Sequence, residues 1–302
     1  MAMNRTKIVL GTAQLGMPYG ITNTKGQLSI QDAALTIDLA IKNNVPLVDT
    51  ASSYGNAECI LGRILSKRSG KGPEICTKLS SMAGVDEKDL ESVIRKSVHK
   101  SLDQLRKKKI DILMFHSFSD IIKHDGLALD VLYKISREGL CENIGVSVYT
   151  PEQAVIVMTE KRISHIQIPF NFLDQRWLSQ EFMFALANRP DITVHARSIF
   201  LQGLLLNSSD RWPEWCADRF EISDKIDGVI KKCGRIDRLD LCLAFALSFP
   251  WIKYIIVGVE TPEQFNKILN YSKYSNLTEA ELIHVKNVFS GVSERLINPT
   301  KW

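Results

Sequence analysis

The chain lacks the sequence features of several common protein classes. Its six cysteines are scattered and no two of them form a CxxC pair, so we predict reduced thiols and neither a disulfide framework nor a zinc cluster. The longest apolar runs, such as residues 254–259, are far shorter than the ~20 residues that a membrane span requires. The first seven residues contain no signal-peptide core, and we therefore expect a cytoplasmic protein without membrane association.

The net charge is also small, because 38 lysines and arginines against 34 acidic residues give a formal value of +4. The densest basic run, residues 106–109, closes a predicted helix, where cations suit the negative end of the helix dipole. No aromatic residues interleave this run, so nucleic acid is not an expected partner. We expect a small-molecule substrate, and a monomer or small homo-oligomer.

The sequence does contain a regular alternation of short apolar runs and longer amphipathic segments. The predicted strands are residues 7–11, 46–49, 73–77, 110–115, 141–146, 164–168, 192–196 and 253–257. The predicted helices are residues 31–43, 57–67, 87–106, 125–138, 151–161, 177–188, 237–248 and 262–272, with a last helix near 278–289. The strands are continuous apolar runs more than strict alternations, which is typical of parallel strands covered on both faces.

Eight strand–helix units without a linker favour one closed (β/α)8 TIM barrel of the α/β class, with residues 1–302 as a single domain. A segment at 206–236 and an extra C-terminal helix with its tail exceed the eight units. An open doubly wound sheet is the alternative, but that fold should carry a GxGxxG motif after its first strand. Residues 11–16, Gly-Thr-Ala-Gln-Leu-Gly, do not match this motif.

Four polar residues stand at the ends of three neighbouring predicted strands. Asp49 ends the second strand and Tyr54 follows it by five residues, while Lys78 ends the third strand and His116 the fourth. In a TIM barrel the active site lies at the carboxyl ends of the strands. A lone Asp or His at such a place is more often a structural hydrogen-bonding group. A lysine there is more informative, because placing its charge in the barrel mouth is costly unless the charge is paired.

Together the four residue types form a chemically coherent set. A phenol is a poor acid at neutral pH, and a neighbouring ammonium such as Lys78 stabilises the phenolate and lowers the pKa of Tyr54. Asp49 can balance the charge of Lys78, and His116 can hold and polarise a substrate carbonyl through a hydrogen bond. We therefore predict that the four residues form one catalytic set.

Residues 49–58, Asp-Thr-Ala-Ser-Ser-Tyr-Gly-Asn-Ala-Glu, resemble the signature of the aldo-keto reductases, and Lys78 and His116 stand at the family's other two catalytic places. The resemblance continues at the predicted strand ends in residues 11–12, 145–147, 167–171, 196–205 and 258–264. The pattern is also similar to bacterial members that accompany surface-polysaccharide genes. That similarity implies a keto-sugar or aldose substrate.

The resemblance implies an NAD(P)H-dependent oxidoreductase that reduces an aldehyde, ketone or keto-sugar to an alcohol, without a metal or a flavin. In the family's mechanism Tyr54 gives the proton, Lys78 and Asp49 adjust the pKa of Tyr54, and His116 orients the carbonyl. Ser147 and Gln167 would hold the nicotinamide carboxamide. The full set of implied cofactor-binding residues is Gly11, Thr12, Asp49, Ser147, Gln167, Arg197, Ser198, Phe200, Gly203, Gly258, Glu260 and Gln264.

Two departures from the family pattern concern the nicotinamide end. Val148 follows Ser147 where the family usually has asparagine, which removes one contact to the carboxamide. Arg197 stands where the family often has a tyrosine stacked on the nicotinamide. A guanidinium can stack on that ring, reach an anionic substrate, or pair structurally with a nearby acid.

A third departure concerns the adenosine end, just after the eighth strand. The family usually offers basic residues to the 2′-phosphate of NADPH, whereas this chain has Gly258, Glu260, Thr261 and Gln264. Glu260 would repel a phosphate but could accept hydrogen bonds from a free ribose hydroxyl, so we predict that NADH binds at least as well as NADPH. The alternative is that Glu260 faces solvent and that Lys267, or an arginine elsewhere, supplies the charge.

The substrate and the function class leave further alternatives open. His195 and Gln202 are expected near the mouth, with Trp177, Trp212 and Trp215 on loops around it, an arrangement consistent with a sugar or another partly apolar carbonyl compound. A Schiff-base lyase could use Lys78 as its nucleophile, and a non-catalytic nicotinamide-binding sensor or scaffold, like potassium-channel β subunits, would keep cofactor binding without turnover. A metal-dependent hydrolase is disfavoured because the chain has no HxH pair.

Overall fold

The computed structural model describes residues 6–70 and 72–302. Over these residues, eight parallel strands close into a barrel in chain order. The first strand pairs with both the second and the eighth, which confirms the (β/α)8 barrel and rules out the open sheet. Residues 1–5, which hold most of the segment inspected for a signal peptide, lie outside the described part. Within that part, no helix has the combined length and apolar character that crossing a membrane demands.

Helices follow the strands along the chain and cover the barrel. The strands are β1 (Ile8–Gly11), β2 (Leu47–Asp49), β3 (Glu74–Lys78), β4 (Ile110–Phe115), β5 (Cys141–Ser147), β6 (His165–Pro169), β7 (Thr193–Arg197) and β8 (Ile252–Val257). The helices are α1 (Ala13–Gly16), α2 (Ile30–Lys42), α3 (Ala57–Leu65), α4 (Glu87–Leu105), α5 (Phe118–Ile122), α6 (Leu127–Arg137), α7 (Pro151–Met158), α8 (Gln180–Ala187), α9 (Arg219–Lys232), α10 (Arg238–Leu247), α11 (Pro262–Tyr271), α12 (Glu279–Val288) and α13 (Glu294–Ile297).

Helix boundaries differ from the predicted ones where the local backbone takes an unusual conformation. Thr150 caps α7 as its sequence suggests, because its side chain accepts a hydrogen bond from the Gln153 amide. Helix α6 begins two residues later than predicted, since His124 and Asp125 have φ values of 51° and 52°, in the left-handed region. The segment 206–236 contains α9, which was not predicted although Ile222, Ile226 and Val229 have helical spacing.

The barrel interior combines an apolar cluster with a buried histidine pair. Val9, Leu47, Cys76, Ile112, Met114 and Ile256 form the cluster, and Tyr254 packs against it. His165 Nδ1 lies 2.8 Å from His195 Nε2, and the two rings meet edge to face. The prediction that His195 lies near the mouth is wrong, because β7 turns this side chain into the barrel, two residues before the strand ends, and buries it completely.

The buried histidine pair makes the fold sensitive to acid. Burial lowers the pKa of His165 to about 4, and burial, followed by His165 and Lys78, lowers the pKa of His195 well below its ordinary value. Below about pH 6.5 the unfolded chain therefore binds protons that the folded protein does not bind. We expect the free energy of unfolding to fall by ~1.4 kcal/mol per pH unit for each such group as the pH drops toward 4.

Denaturant unfolding of wild type and His165→Gln at several pH values tests this expectation. The slope of the free energy of unfolding against pH should be smaller in the variant by ~1.4 kcal/mol per pH unit, which corresponds to about one proton. His99→Gln, at an exposed position on α4, is the matched control and should keep the wild-type slope. Equal slopes for wild type and His165→Gln would show that the pair does not govern acid stability.

Candidate functional site

A buried ion pair joins the carboxyl ends of β2 and β3. Lys78 Nζ donates to the two carboxylate oxygens of Asp49 at 2.9 and 2.7 Å and to the Thr50 backbone oxygen at 3.0 Å. The Lys78 and Asp49 side chains are only 1% and 4% exposed. Gln167 Nε2, from β6 across the barrel, donates to Asp49 Oδ1 at 2.8 Å. The charges that the sequence placed on neighbouring strands therefore neutralise each other.

Tyr54 lies beside this ion pair, in the turn between β2 and α3. Its backbone N–H donates to the Ala51 oxygen at 3.0 Å, and its own carbonyl accepts from the Ala57 N–H at 3.0 Å. Gly55 has a φ of +55°, and a Cβ there would collide with the backbone carbonyl of Gly16, so the turn requires glycine after the tyrosine. The turn brings the Tyr54 ring centroid to 5.4 Å from Lys78 Nζ.

His116 follows the last residue of β4 and completes the predicted set. Its ring lies edge to face with the Tyr54 ring, at a centroid distance of 6.0 Å. Its Nδ1 lies 3.2 Å from Ser53 Oγ, and a hydroxyl that donates there leaves the imidazole proton on Nε2. Burial, followed by the charge of Lys78, lowers the pKa of His116 to about 4. His116 is therefore a neutral hydrogen-bonding group at pH 7.

The prediction that Lys78 brings the pKa of Tyr54 below its ordinary value is wrong for this structure. Burial raises the pKa of Tyr54, and the opposing effect of Lys78 is smaller and partly offset by Asp49. Burial also works against the charge of Lys78, but the attraction of Asp49 and weaker neighbours leaves the pKa of Lys78 raised. Tyr54 is thus a protonated phenol at neutral pH, next to a persistent cation.

A cavity of about 470 Å³ opens at this face of the barrel, within the ~300–1,000 Å³ typical of ligand sites. Asp49 and Tyr54 lie on its wall. Of the predicted cofactor-binding residues, the wall contains Gly11, Thr12, Asp49, Gln167, Arg197, Ser198, Phe200, Gly203, Gly258, Glu260 and Gln264. Ser147 is not on the wall, although Gln167, its neighbour across β5 and β6, is.

Other wall residues were missed by reasoning from strand ends. Tyr19, Thr22 and Lys25 come from the long connection between α1 and α2, and Arg211 follows the turn after β7. Thr22 Oγ1 donates to the Gln202 oxygen at 3.3 Å, so the two connections meet over the cavity. These residues stand on connections and not at strand ends, so the strand-end pattern does not indicate them.

Two features of the wall fit a dinucleotide. The wall residues Ser198 and Gln202, and the buried Leu201 between them, have φ values of 59°, 55° and 48°. This conformation is uncommon for non-glycine residues and clusters at ligand sites, and such turns of the backbone can form anion-binding concavities. Gln14 Oε1 is buried without a hydrogen-bond partner among the described residues. A Cβ at Gly258 would meet the Gln14 amide group within 2.7–3.1 Å, so glycine keeps this part of the wall open.

The adenosine end of the predicted cofactor site has charges of both signs. Glu260 lies on the wall, and its N–H donates to Gln264 Oε1 at 2.8 Å. Burial raises the pKa of Glu260, and Lys25 opposes this shift. Lys267 is not on the wall and pairs with Asp237 at 2.8 Å, which argues against Lys267 as a phosphate ligand.

Arg197 ends β7, and its guanidinium lies on the face of Tyr149 with Cζ 4.3 Å from the ring centroid. It donates to Ser198 Oγ and to the Val148 backbone oxygen, both at 3.4 Å. The ion pairs found among the described residues involve other arginines, such as Arg176 and Arg189. The interpretation of Arg197 as a structural partner of a nearby acid is therefore wrong.

The tryptophans predicted around the mouth lie elsewhere, whereas Gln202 does line the cavity. Trp177 is fully buried, and its indole N–H donates to Asp174 Oδ2 at 3.3 Å. Trp212 is 3% exposed, and Trp215 packs against the C-terminal Trp302. None of the three is on the cavity wall, so the expectation that they lie around the mouth is wrong.

Comparison with known proteins gives consistent matches over most of the chain. The family model described as Aldo/keto reductase family matches residues 7–288. D-arabinose 1-dehydrogenase from Saccharomyces cerevisiae is 28% identical over 288 residues, which cover 87% of this chain and 82% of the yeast protein. Two solved structures share the fold. A glycerol dehydrogenase from Gluconobacter oxydans has a TM-score of 0.73 at 24% identity, covering 95% of this chain and 92% of that one, and the holo form of an aldo-keto reductase from Bacillus halodurans has 0.75 at 19%, covering 97% and 95%.

Proposed function

Because the chain belongs to the aldo/keto reductase family, and is thus an oxidoreductase acting on a carbonyl or alcohol group with NAD(P)H, we propose that it reduces a carbonyl with Tyr54 as the general acid. One observation carries this proposal. The phenol of Tyr54, on the cavity wall, lies beside the buried Lys78–Asp49 pair and against the neutral ring of His116.

Each of the four side chains has a separate task in the proposed reaction. Tyr54 releases its proton to the substrate oxygen as negative charge develops there. The Lys78 ammonium, held by Asp49 and the Thr50 carbonyl, stabilises the phenolate that remains. Neutral His116 donates a hydrogen bond that orients the carbonyl. A bound nicotinamide supplies the hydride.

The wall residues divide between the parts of the cofactor. We assign the nicotinamide end to Gln167, with Ser147 as a buried neighbour, and the diphosphate to the turn that contains Ser198, Phe200 and Gly203. Gln14 Oε1, the acceptor without a partner among the described residues, suits a hydroxyl or amide N–H of the dinucleotide.

The structure weighs against the lyase alternative. A Schiff-base lysine attacks as a neutral amine and needs a depressed pKa. Lys78 instead has three hydrogen bonds to Asp49 and Thr50, is 1% exposed, and has a raised pKa. The sensor or scaffold alternative shares the cofactor residues, and only turnover separates it from an enzyme.

The relative from yeast supports a sugar as the substrate class. Its name states that it is a D-arabinose dehydrogenase, and the resemblance to polysaccharide-associated members independently implies an aldose or keto-sugar. The proposal is tested by following NADH and NADPH consumption across aldehydes, aldoses, ketoses and nucleotide-linked keto-sugars. Reduction of at least one class supports it, and cofactor binding without turnover of any class favours the sensor.

We further propose that NADH binds at least as well as NADPH. Glu260 and Gln264 lie on the wall at the adenosine end, and a carboxylate there accepts from a ribose hydroxyl but repels a 2′-phosphate. Lys25 and Arg211 are the basic wall residues that oppose this expectation. Fluorescence titration with both cofactors measures the two dissociation constants, and an NADPH value about tenfold lower, ~1.4 kcal/mol, would refute the proposal.

A matched pair of variants locates the selectivity. Glu260→Arg should shift the preference toward NADPH, because it replaces the repulsive charge by a phosphate ligand. Glu263→Arg makes the same change of charge at an exposed neighbour that is not on the cavity wall. That control should keep the wild-type preference. Equal shifts in both variants would indicate a long-range charge effect and not a contact at Glu260.

A further inference from the structure

Arg197 carries a positive charge that no acid balances among the described residues. Its N–H groups reach only Ser198 Oγ and the Val148 oxygen, both at the long distance of 3.4 Å. Other partly buried arginines, such as Arg176 and Arg235, each contact a carboxylate. Since a guanidinium has five N–H donors, most of those on Arg197 have no acceptor within the described protein. A partly buried, unbalanced charge on a cavity wall needs an explanation.

The contacts of Arg197 determine which side of the cavity receives this charge. The side chain starts at the end of β7 and crosses the end of β6 to Val148 and Tyr149, directly after β5. The next strand in the barrel is β4, which His116 follows. The guanidinium therefore extends away from β8 and residues 258–264, the adenosine end. After burial and Lys78, Arg197 also contributes to the lowered pKa of His116, as expected for a charge on the carbonyl side.

Building on the carbonyl reduction proposed above, we propose that Arg197 binds an oxyanion of the substrate, a carboxylate or a phosphate. The enzyme would then act on an anionic carbonyl compound, and within the sugar class on a sugar acid or sugar phosphate. The planar guanidinium offers parallel N–H donors that match such oxygens in a bidentate manner. Tyr149 holds the plane of the guanidinium by a cation–π contact, so little freedom is lost when the anion binds.

Pairs of substrates that share a carbonyl group but differ in an anionic group separate the effect of the anion from that of the carbonyl. The carboxylate arm compares succinic semialdehyde with butanal, and the phosphate arm compares glyceraldehyde phosphate with glyceraldehyde. In each arm kcat/KM is measured for both members, and the ratio of anionic to neutral is the readout. Wild type should favour the anionic member at least about tenfold in one arm, and that arm identifies the anion. Ratios near one in both arms would overturn the proposal.

Variants of Arg197 assign the preference to this side chain. Arg197→Ala should remove it by raising KM for the anionic member about tenfold more than KM for the neutral one. Arg197→Lys should recover part of the preference, because it keeps the charge but loses the planar fork. Arg63→Ala, at an exposed position on α3 outside the cavity wall, changes the net charge equally and should keep the wild-type ratio. A tenfold loss of NADH affinity in Arg197→Ala with an unchanged ratio would indicate stacking on the nicotinamide, and would overturn the proposal.

A binding measurement keeps this inference independent of turnover. Calorimetric titration of wild type and Arg197→Ala with succinate and, separately, with inorganic phosphate should give at least one anion that binds about tenfold more weakly to the variant. Equal affinities would overturn the oxyanion site even in an active enzyme. If no carbonyl compound is reduced, the proposed function fails, and the titration still decides whether Arg197 binds an anion.

Discussion

Replacing Tyr54 by phenylalanine should lower the turnover of the best carbonyl substrate by about 10²–10⁴-fold, the usual contribution of a general acid. The substitution removes only the hydroxyl, and the Tyr54 turn is held by backbone hydrogen bonds to Ala51 and Ala57. The fold and the dissociation constant for the cofactor should therefore stay close to wild type. Single-turnover rates, together with a fluorescence titration, measure both quantities.

The control for this variant is Tyr133→Phe. Tyr133 lies on α6, is 42% exposed and is not on the cavity wall, so loss of its hydroxyl should leave turnover unchanged. Near-normal turnover of Tyr54→Phe, under conditions in which the chemical step limits the rate, would exclude Tyr54 as the acid.

Replacing Lys78 by methionine should destabilise the fold and also impair the chemistry. The variant leaves the Asp49 carboxylate buried without its cation, although Gln167 still donates to it. Breaking a buried ion pair in this way costs ~3–5 kcal/mol of unfolding free energy. The pKa of Tyr54 should rise further, because the cation that lowers it is gone. The high-pH limb of the rate profile, where the acid loses its proton, should move upward while the maximal rate falls.

Two further variants distinguish the effect of breaking the buried ion pair from the effect of removing any charge. Lys78→Met combined with Asp49→Asn removes both charges and should recover much of the lost stability, since replacing both partners of a buried pair is often near neutral. Lys109→Met breaks the exposed pair with Glu142, whose side chains are 47% and 56% exposed, and should cost less than ~1 kcal/mol. Denaturant unfolding compares the four proteins. An unchanged rate profile and stability in Lys78→Met would refute the Tyr54–Lys78–Asp49 coupling.

The sequence predicts the barrel well because its strands are short apolar runs, several of which end in a polar residue. Asp49, Lys78 and Arg197 are all the last residues of their strands, and the parallel order of the strands brings such ends to one face. The helix α9 was missed because its surroundings in residues 206–236 gave no strand to pair it with. The assignment of residues 1–302 to a single domain stays a prediction.

The site was predictable where strand ends define it and not where packing does. His195 and Arg197 lie two residues apart on β7 and therefore on the same face of the strand. His195 belongs to the barrel interior and Arg197 to the strand end, and only their positions along β7 distinguish them. The raised pKa of Tyr54 depends on how much water the fold removes from the phenol, which no pattern encodes. Tyr19 and Lys25 reach the cavity from a long connection whose course depends on its contact with Gln202.

The most direct test of the account measures alcohol formation from a panel of aldehydes, aldoses, ketoses and nucleotide-linked keto-sugars with saturating NADH or NADPH. Wild type and Tyr54→Phe are compared at equal cofactor occupancy. We predict that wild type forms one alcohol for each nicotinamide oxidised with at least one class, and that Tyr54→Phe binds the cofactor equally well but is slower by at least about 100-fold. Tight cofactor binding by wild type without any alcohol product would contradict the account and identify a nicotinamide-binding sensor.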